Sequence, residues 1–446
     1  MIDDSRVEYL NSVDEHHGEY VLYWMQSSVR AEYNHALEYA VSKSIELDQP
    51  LAVVFCLTDN YPHANLRHYR FLVEGLVDVH GTLFKRRINM QIVYGPPVET
   101  MLELSANAAS IIVDRGYTRQ ITKWVQKIGS KVKCPFTRVE SNIVIPVEVT
   151  SDKEEYSAAT IRRKINRLLG QYLKPFELAD QRPKTVNLDV PTLPVDVEKI
   201  IKGLKVDRSV KPVEGFRGGP TEAGKRLETF LGRIDDYPDK RNDPNEDGQS
   251  QLSPYLHFGH ISPLHLALRV KEADSRGTES FLEELIVRRE LAINFVHYNS
   301  EYDSIRSLPD WCIKTLREHQ SDPREYTYTI QELENAETHD PYWNAAQVEM
   351  METGKMHGYM RMYWGKKILE WTSSPEESIS TAIKLNDKYQ IDGRDPNSYS
   401  GIMWVHGKHD RPWKERPIFG KIRYMNDKGL ERKFRIKKYA EKWCRN

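Results

Sequence analysis

Apolar and polar positions along this chain follow two rhythms, and the second replaces the first near the middle. Over residues 20–150, short apolar runs alternate with amphipathic stretches. YVLYWM (20–25), LAVVFCL (51–57), the run at 89–94, SIIVD (110–114) and NIVIP (142–146) read as buried strands. Between them, segments near 33–48, 67–84, 98–108 and 118–129 carry the helical period. Strand–helix alternation of this kind predicts an α/β doubly wound parallel sheet. A connecting helix is predicted over 157–173, followed by a proline-rich stretch of little periodicity that reads as a connector laid over the surface. It ends at Gly218-Gly219-Pro220-Thr221, with Thr221 expected to cap the next helix. Beyond residue 221 strand signals vanish. The expected organisation is an α/β domain over 1–150, a long linker over 151–220 and an all-α domain over 221–446.

Within the helical half, one stretch organises the rest: Phe281 to Phe295. Leu282, Leu285, Ile286, Ile293 and Val296 recur at helical spacing, while Glu284 and Arg288 lie four apart on another face. Such a spacing fits an exposed ion pair, worth about 0.2–0.5 kcal/mol. Gln249 to Ser253 (QSQLS) places two hydroxyls and free backbone N–H groups at a helix start, either as a simple cap or as a cradle for an anion. Arg361 sits in a helix crowded with Met and aromatic residues, and a buried arginine needs a fixed anionic partner. Asp387, Asp392 and Asp395 are the candidates. Trp343, Trp364 and Trp371 fall close together, as core packing or as a series of rings suited to stepwise electron transfer.

Composition narrows the classes. With 446 residues, 39% hydrophobic and 29% charged, the chain is globular and long enough for two or three domains. No run approaches the ~18 apolar residues of a membrane span. The acidic, polar N-terminus has no apolar leader segment, so an intracellular protein is expected. Four dispersed cysteines without a CxxC suggest free thiols. His406, His409 and Asp410 lack a further ligand at metal spacing, so no metal site is expected. The turn after the first strand, Gln26-Ser27-Ser28-Val29-Arg30, has no GxGxxG, which argues against a dinucleotide there. The crevice at the strands' carboxyl ends remains open to another ligand. A formal net charge of −1 hides one asymmetry: from Lys408 to Asn446 there are 14 Lys and Arg against 5 Asp and Glu, interleaved with aromatic rings. Cations for phosphates and rings for bases are what a nucleic-acid face requires.

Two long patterns carry a resemblance. F-x-E-E-x-x-x-R-R-E-L-x-x-N-F stands at Phe281–Phe295, and G-x-H-D-x-x-W-x-E-R-x-x-F-G-K-x-R-Y-M-N at Gly407–Asn426. With S-x-L-S-P-Y-L at Ser250–Leu256 and LYWMQSSVR at 22–30, the chain resembles the DNA photolyases, and within them the class II cyclobutane pyrimidine dimer photolyases. The resemblance implies an antenna domain, a linker and a helical domain that binds FAD. In the implied reaction, light-excited FADH⁻ gives an electron to a flipped-out dimer in double-stranded DNA, the ring splits and the electron returns. A monomer working in the cytoplasm or nucleoid is expected.

The same resemblance assigns residues. FAD would be held by Tyr237, Gln249, Ser250, Gln251, Leu252, Ser253, Arg288, Arg361, Asn386, Asp392, Gly393 and Arg394, with Asn386 near flavin N5. Glu284, in a dry pocket and protonated, would face the dimer, with Met362 and Trp404 packed on it. Trp343, Trp364 and Trp371 would pass electrons to the flavin, in an order the pattern does not give. Arg411, Trp413, Lys414, Lys421, Arg423 and Trp404 would meet DNA. The flavin-proximal tryptophan of other classes is Ile402 here, consistent with class II. An antenna chromophore, deazaflavin or folate, is implied without residues that choose between them. The alternative is a cryptochrome-like blue-light receptor with the same fold and FAD; an ending in the basic signature, with no long polar tail, is expected of a repair enzyme.

Overall fold

The computed structural model describes residues 2–14, 17–175, 178 and 182–444. Six strands form one sheet: β1 (Val7–Tyr9), β2 (Tyr20–Met25), β3 (Leu51–Leu57), β4 (Met90–Tyr94), β5 (Ala108–Asp114) and β6 (Phe136–Val139), in the order β1-β6-β5-β2-β3-β4. Every neighbouring pair is parallel except β1 against β6, where Val7 faces Val139. Side chains alternate between two cores. Val21, Tyr23 and Met25 pack with the helices His35–Glu46 and Leu66–Lys85, and Tyr20, Leu22 and Trp24 with Pro97–Ser105 and Arg119–Gly129. Helices on both faces explain why the central strands are apolar throughout.

Three expectations about the chain need correction. NIVIP is not a strand but a buried loop, because side chains replace its ladder. Glu290 Oε1 accepts the N–H groups of Val144 (2.8 Å) and Ile145 (3.4 Å), while Arg6 donates to the carbonyls of Glu140, Ile143 and Val144. The last parallel strand is the short FTRV at 136–139. Thr221 is not a cap: the helix Pro220–Leu231 follows Gly219, and Pro220 occupies a position that needs no N–H. Thr221 binds Asp78 instead, through its N–H (2.7 Å) and hydroxyl (2.8 Å). The connector is not featureless either. It runs along β3 and β4, exchanging backbone hydrogen bonds at Leu51 and Ile92, and contains the helix Val197–Gly203.

The Ala158–Tyr172 helix, close to its expected span, packs in one core with the helices of 220–291. A second core gathers the helices around Trp343 and Trp364. The Phe281–Phe295 stretch is continuous but not uniform: Thr278–Leu282 and Arg289–Tyr298 are α-helical, and Glu283–Arg288 between them is a π-helical turn. Such turns recur at functional sites because they re-aim side chains. Sheet and helices are locked together by arginines. Arg67 donates to the carbonyls of Lys211, Met351 and Tyr389, and Arg30 to that of Gly259 at 3.0 Å. Among the described residues, no helix is long and apolar enough to cross a membrane.

Candidate active site

A cavity of about 640 Å3 lies within the helical half. Its walls gather Tyr237, Gln249, Ser250, Gln251, Ser253, Glu284, Arg288, Arg361, Met362, Asp392 and Trp404, all residues to which the resemblance assigned a role. The 249–253 loop turns at Gln251, whose φ of 59° is left-handed. The short helix Ser253–His257 has no side-chain cap, so capping does not explain these hydroxyls. Ser253 Oγ instead accepts from Lys355 Nζ. Leu252, expected on the wall, is 1% exposed and faces the core.

Charge on the walls is uneven. Arg241, Arg288, Arg289, Lys355 and Arg361 face Glu284, Asp392 and Asp395. Arg361 pairs with Asp392 only at 3.8 Å, and Lys355 adds a second cation at 3.9 Å. Burial pushes the Asp392 carboxyl up, but Lys355 and then Arg361 outweigh it and hold it below its ordinary value. Asp392 Oδ1 and Arg361 Nε are both buried with no hydrogen-bond partner. Glu284 does not sit in the dry pocket expected. It is 39% exposed and accepts from Arg241 Nη1 at 2.9 Å. Arg288 does not bond Glu284: its Nε lies 3.0 Å from Glu283 Oε1, five residues back, the repeat of a π turn.

Besides Leu252, three expected residues miss this cavity. Asn386 lies behind the wall, 1% exposed. Arg361 donates to Gln390 Oε1, Gln390 Nε2 to Asn386 Oδ1 (2.9 Å), and Asn386 Nδ2 to Asp387 Oδ1 (2.9 Å). A guanidinium only donates and a carboxylate only accepts, so both amides between them are fixed in direction. Gly393 backs onto Asn386 and Asp387. Arg394, with a left-handed φ of 63°, turns away and lines a smaller cavity beside His68.

That smaller cavity, about 150 Å3, sits at the carboxyl ends of β2 and β3. Phe55, Tyr61, Tyr69, Trp124 and Phe258 wall it, and both amide atoms of Gln26 and Ser27 Oγ are buried there without partners. His257 lines this cavity and Asp395 the larger one, and their 3.1 Å contact forms part of the partition. Burial pushes Asp395 up, yet His257, Arg289 and the Asn397 N–H bring it down to about 2.

The tryptophans are buried and ordered. Trp364 stacks on Trp343 (centroids 6.2 Å, 7°), and Trp343 meets Trp371 edge-on at 5.5 Å. Trp371 in turn adjoins Tyr328 and His339, which stacks on the exposed Tyr326. Near the cavity mouth, Arg411, Trp413, Lys414 and Lys421 are exposed, and Arg423 is half-buried, bonded to Asp410 and packed 4.2 Å over the Trp413 ring. Sequence reasoning missed Arg241, Arg289 and Lys355 as wall groups, and named Asp395 only as one possible partner of Arg361. Lys355 lies just inside a stretch singled out for its methionines, and Arg241 opens the polar run before Gln249, so both were within view.

The DNA photolyase family model matches residues 21–183. The deoxyribodipyrimidine photo-lyase of Methanothermobacter thermautotrophicus is 50% identical over 99% of this chain and 98% of its own. That of Potorous tridactylus is 41% identical over 94% and 80%. Among solved structures, a Sulfolobus tokodaii photolyase described with two FAD molecules superposes with a TM-score of 0.71 at 18% identity, covering 95% of this chain and 89% of its own. A Synechocystis cryptochrome superposes with 0.74 at 16%, covering 95% and 88%. At such identities the two structures speak for the fold alone.

Proposed function

The chain belongs to the DNA photolyase family, and from that premise we propose that it is a class II enzyme that splits cyclobutane pyrimidine dimers in double-stranded DNA. Light-driven DNA repair is the family's work; the substrate and the residue roles are our reading. The observation that carries it is the large cavity with its cationic wall, whose Trp404 packs under Arg423, which also lies over the exposed Trp413.

FAD fits that cavity. Its cations suit a diphosphate, and the unpartnered Arg361 Nε and Asp392 Oδ1 suit the polar edge of a flavin. Tyr237, the 249–253 loop and Arg288 would hold the phosphates, and Arg361 with Asp392 the ring. Bound and reduced, FAD supplies on excitation the electron that opens the cyclobutane ring. The chain's own groups do the rest. Glu284, fixed by Arg241, accepts hydrogen bonds from a pyrimidine edge. Met362 and Trp404 pack on the dimer and exclude water. Asn386, locked by Gln390 and Asp387, holds one amide direction behind the ring site. Trp371, Trp343 and Trp364, in that order, carry electrons inward toward the Arg361–Met362 turn. The small aromatic cavity, with its unpartnered Gln26 amide, is the antenna site for a deazaflavin or folate. Residues 1–150, 151–220 and 221–446 are then antenna domain, linker and catalytic domain of a monomer acting in the cytoplasm or nucleoid.

The test is an absorption spectrum followed by blue-light repair of an oligonucleotide holding one thymine dimer, with a dark control. Flavin absorption and light-dependent dimer loss are expected. Flavin without repair favours the cryptochrome-like reading, and a colourless protein that FAD cannot reconstitute defeats both.

A further inference from the structure

The segment between sheet and helical domain is more than a tether. Residues 151–157 form a loop laid against the second signature. His409, at a left-handed φ of 60°, meets the Tyr156 carbonyl through Nδ1 at 2.9 Å. A carbonyl only accepts, so the proton is on Nδ1, and burial keeps the ring neutral by pushing it down to about 4. Tyr156 Oη donates to the Asp410 carbonyl (3.4 Å), and Glu154 pairs with Lys408. Asn294, from the first signature, accepts the Glu155 N–H (2.7 Å) and donates to the Lys153 carbonyl (3.0 Å). The loop is therefore fixed between both signatures. Yet the Tyr156 ring is left 54% exposed, beside the same Asp410 that anchors Arg423 and Trp413.

The following helix, Ala158–Tyr172, carries Arg162, Arg163, Lys164 and Arg167 and no carboxylate. Arg162 is spent on Glu283 (2.7 Å) and Lys164 on Glu155 (2.6 Å). Glu283 also holds Arg288, which places this helix at the cavity mouth. Lys153, Arg163 and Arg167 are exposed and pair with no carboxylate among the described residues.

We propose that the 151–157 loop and the first turns of the Ala158–Tyr172 helix form a second DNA-binding wall, with Tyr156 packed on a base or sugar beside the lesion and Lys153, Arg163 and Arg167 on phosphates. The inference rests on the repair reading above. It extends the contact surface across the mouth from the C-terminal basic signature. An exposed ring fixed on a stiff loop, followed by unneutralised cations, joins the two elements that strand binding uses.

The test measures binding of the full-length holoprotein to two duplexes, one with a single thymine dimer and one undamaged, across a salt series. The Arg163→Ala/Arg167→Ala double variant should weaken both duplexes alike and reduce the slope of log K against log salt by about 2, near 0.9 for each phosphate contact. Tyr156→Ala should weaken the dimer duplex by roughly 5- to 100-fold with the slope unchanged. Tyr156→Phe, which keeps the ring, should bind nearly as the wild type. Flavin content and thermal unfolding serve as fold controls. If both variants bind as the wild type while it still prefers the dimer duplex, the wall is ordinary surface and the repair reading stands. A wild type without that preference overturns both.

Discussion

The two cavities share a wall and differ in almost everything else. The small one, closed by aromatic rings, offers a neutral amide with nothing to bind. The large one offers charge, five cations against three carboxylates, with Asp392 kept ionised inside the fold by Lys355 and Arg361. A ring-walled slot selects for shape and a hydrogen-bonding edge, whereas a charged cleft selects for an anion and holds it in place. The proposed pair of ligands would use that division: one would collect light, and the other would stay reduced, oriented and next to DNA. Because His257 and Asp395 stand at the shared wall, and Gly259 follows two residues after His257 and abuts Ser27, changes there should disturb both sites, and changes on the far walls only one.

The largest effect is expected at Gly259. Its φ is 70°, and a Cβ there would lie 2.0 Å from the Ser27 carbonyl oxygen, on the rim of the small cavity. Gly259→Ala should cost roughly 3 kcal/mol from backbone strain and overpacking. Thermal unfolding should fall markedly, and both ligands should be lost together. An unchanged melting temperature would show that sheet and helices are not locked at this point. Asp395 comes next. Its folded value of about 2 lies below the ordinary one of about 3.9, so its stabilisation is complete above about pH 4 and is lost as pH falls through about 2. The shift corresponds to about 2 kcal/mol. Asp395→Asn should lower stability to urea at pH 7 by that order and should flatten the acid limb between pH 4 and 2, as read from unfolding curves at several pH values. A third change tests the far wall. Glu284→Ala should reduce repair per absorbed photon about 10-fold, the scale of one hydrogen bond to a charged group. Flavin content and the small cavity should be untouched; loss of flavin would instead make Glu284 a cofactor-holding residue.

Burial decided what could be read from the sequence. β2, β3, β4 and β5 are packed on both faces, so their apolar runs announced them. β1 (VEY) and β6 (FTRV) are short, carry charge and sit toward one edge, so no run marked them. NIVIP looked like a strand because it is equally buried, but carboxylate and guanidinium groups far away in sequence supply its hydrogen bonds. In the site, Glu284 and Arg288 of the first long pattern line the large cavity, whereas Leu252 of the shorter one turns into the core. Arg394 also misses that cavity, because a single left-handed residue two places after Asp392 redirects the side chain, and no pattern of residue types encodes that. Arg241 and Lys355 were missed for another reason. A lysine or arginine in a polar run is usually solvated, and only the approach of Glu284 or Asp392 distinguishes these two.

The smallest expected effect lies in the helical stretch that carries the first signature. Spacing alone suggested a Glu284–Arg288 pair, but the π turn gives each a different partner, Arg241 and Glu283. The Arg288 side chain is 52% exposed, so its ion pair with Glu283 should contribute well under 1 kcal/mol. Arg288→Ala should therefore leave urea unfolding almost unchanged. As one cation among five on the cavity wall, its loss should nonetheless speed FAD release a few-fold, as followed by the fluorescence of freed flavin. Arg288→Lys should recover part of that, since it restores the charge but not the planar fork that grips a phosphate. If release is unchanged in Arg288→Ala, Arg288 belongs to the surface, and the large cavity holds its cofactor through Arg361, Lys355 and the 249–253 loop alone.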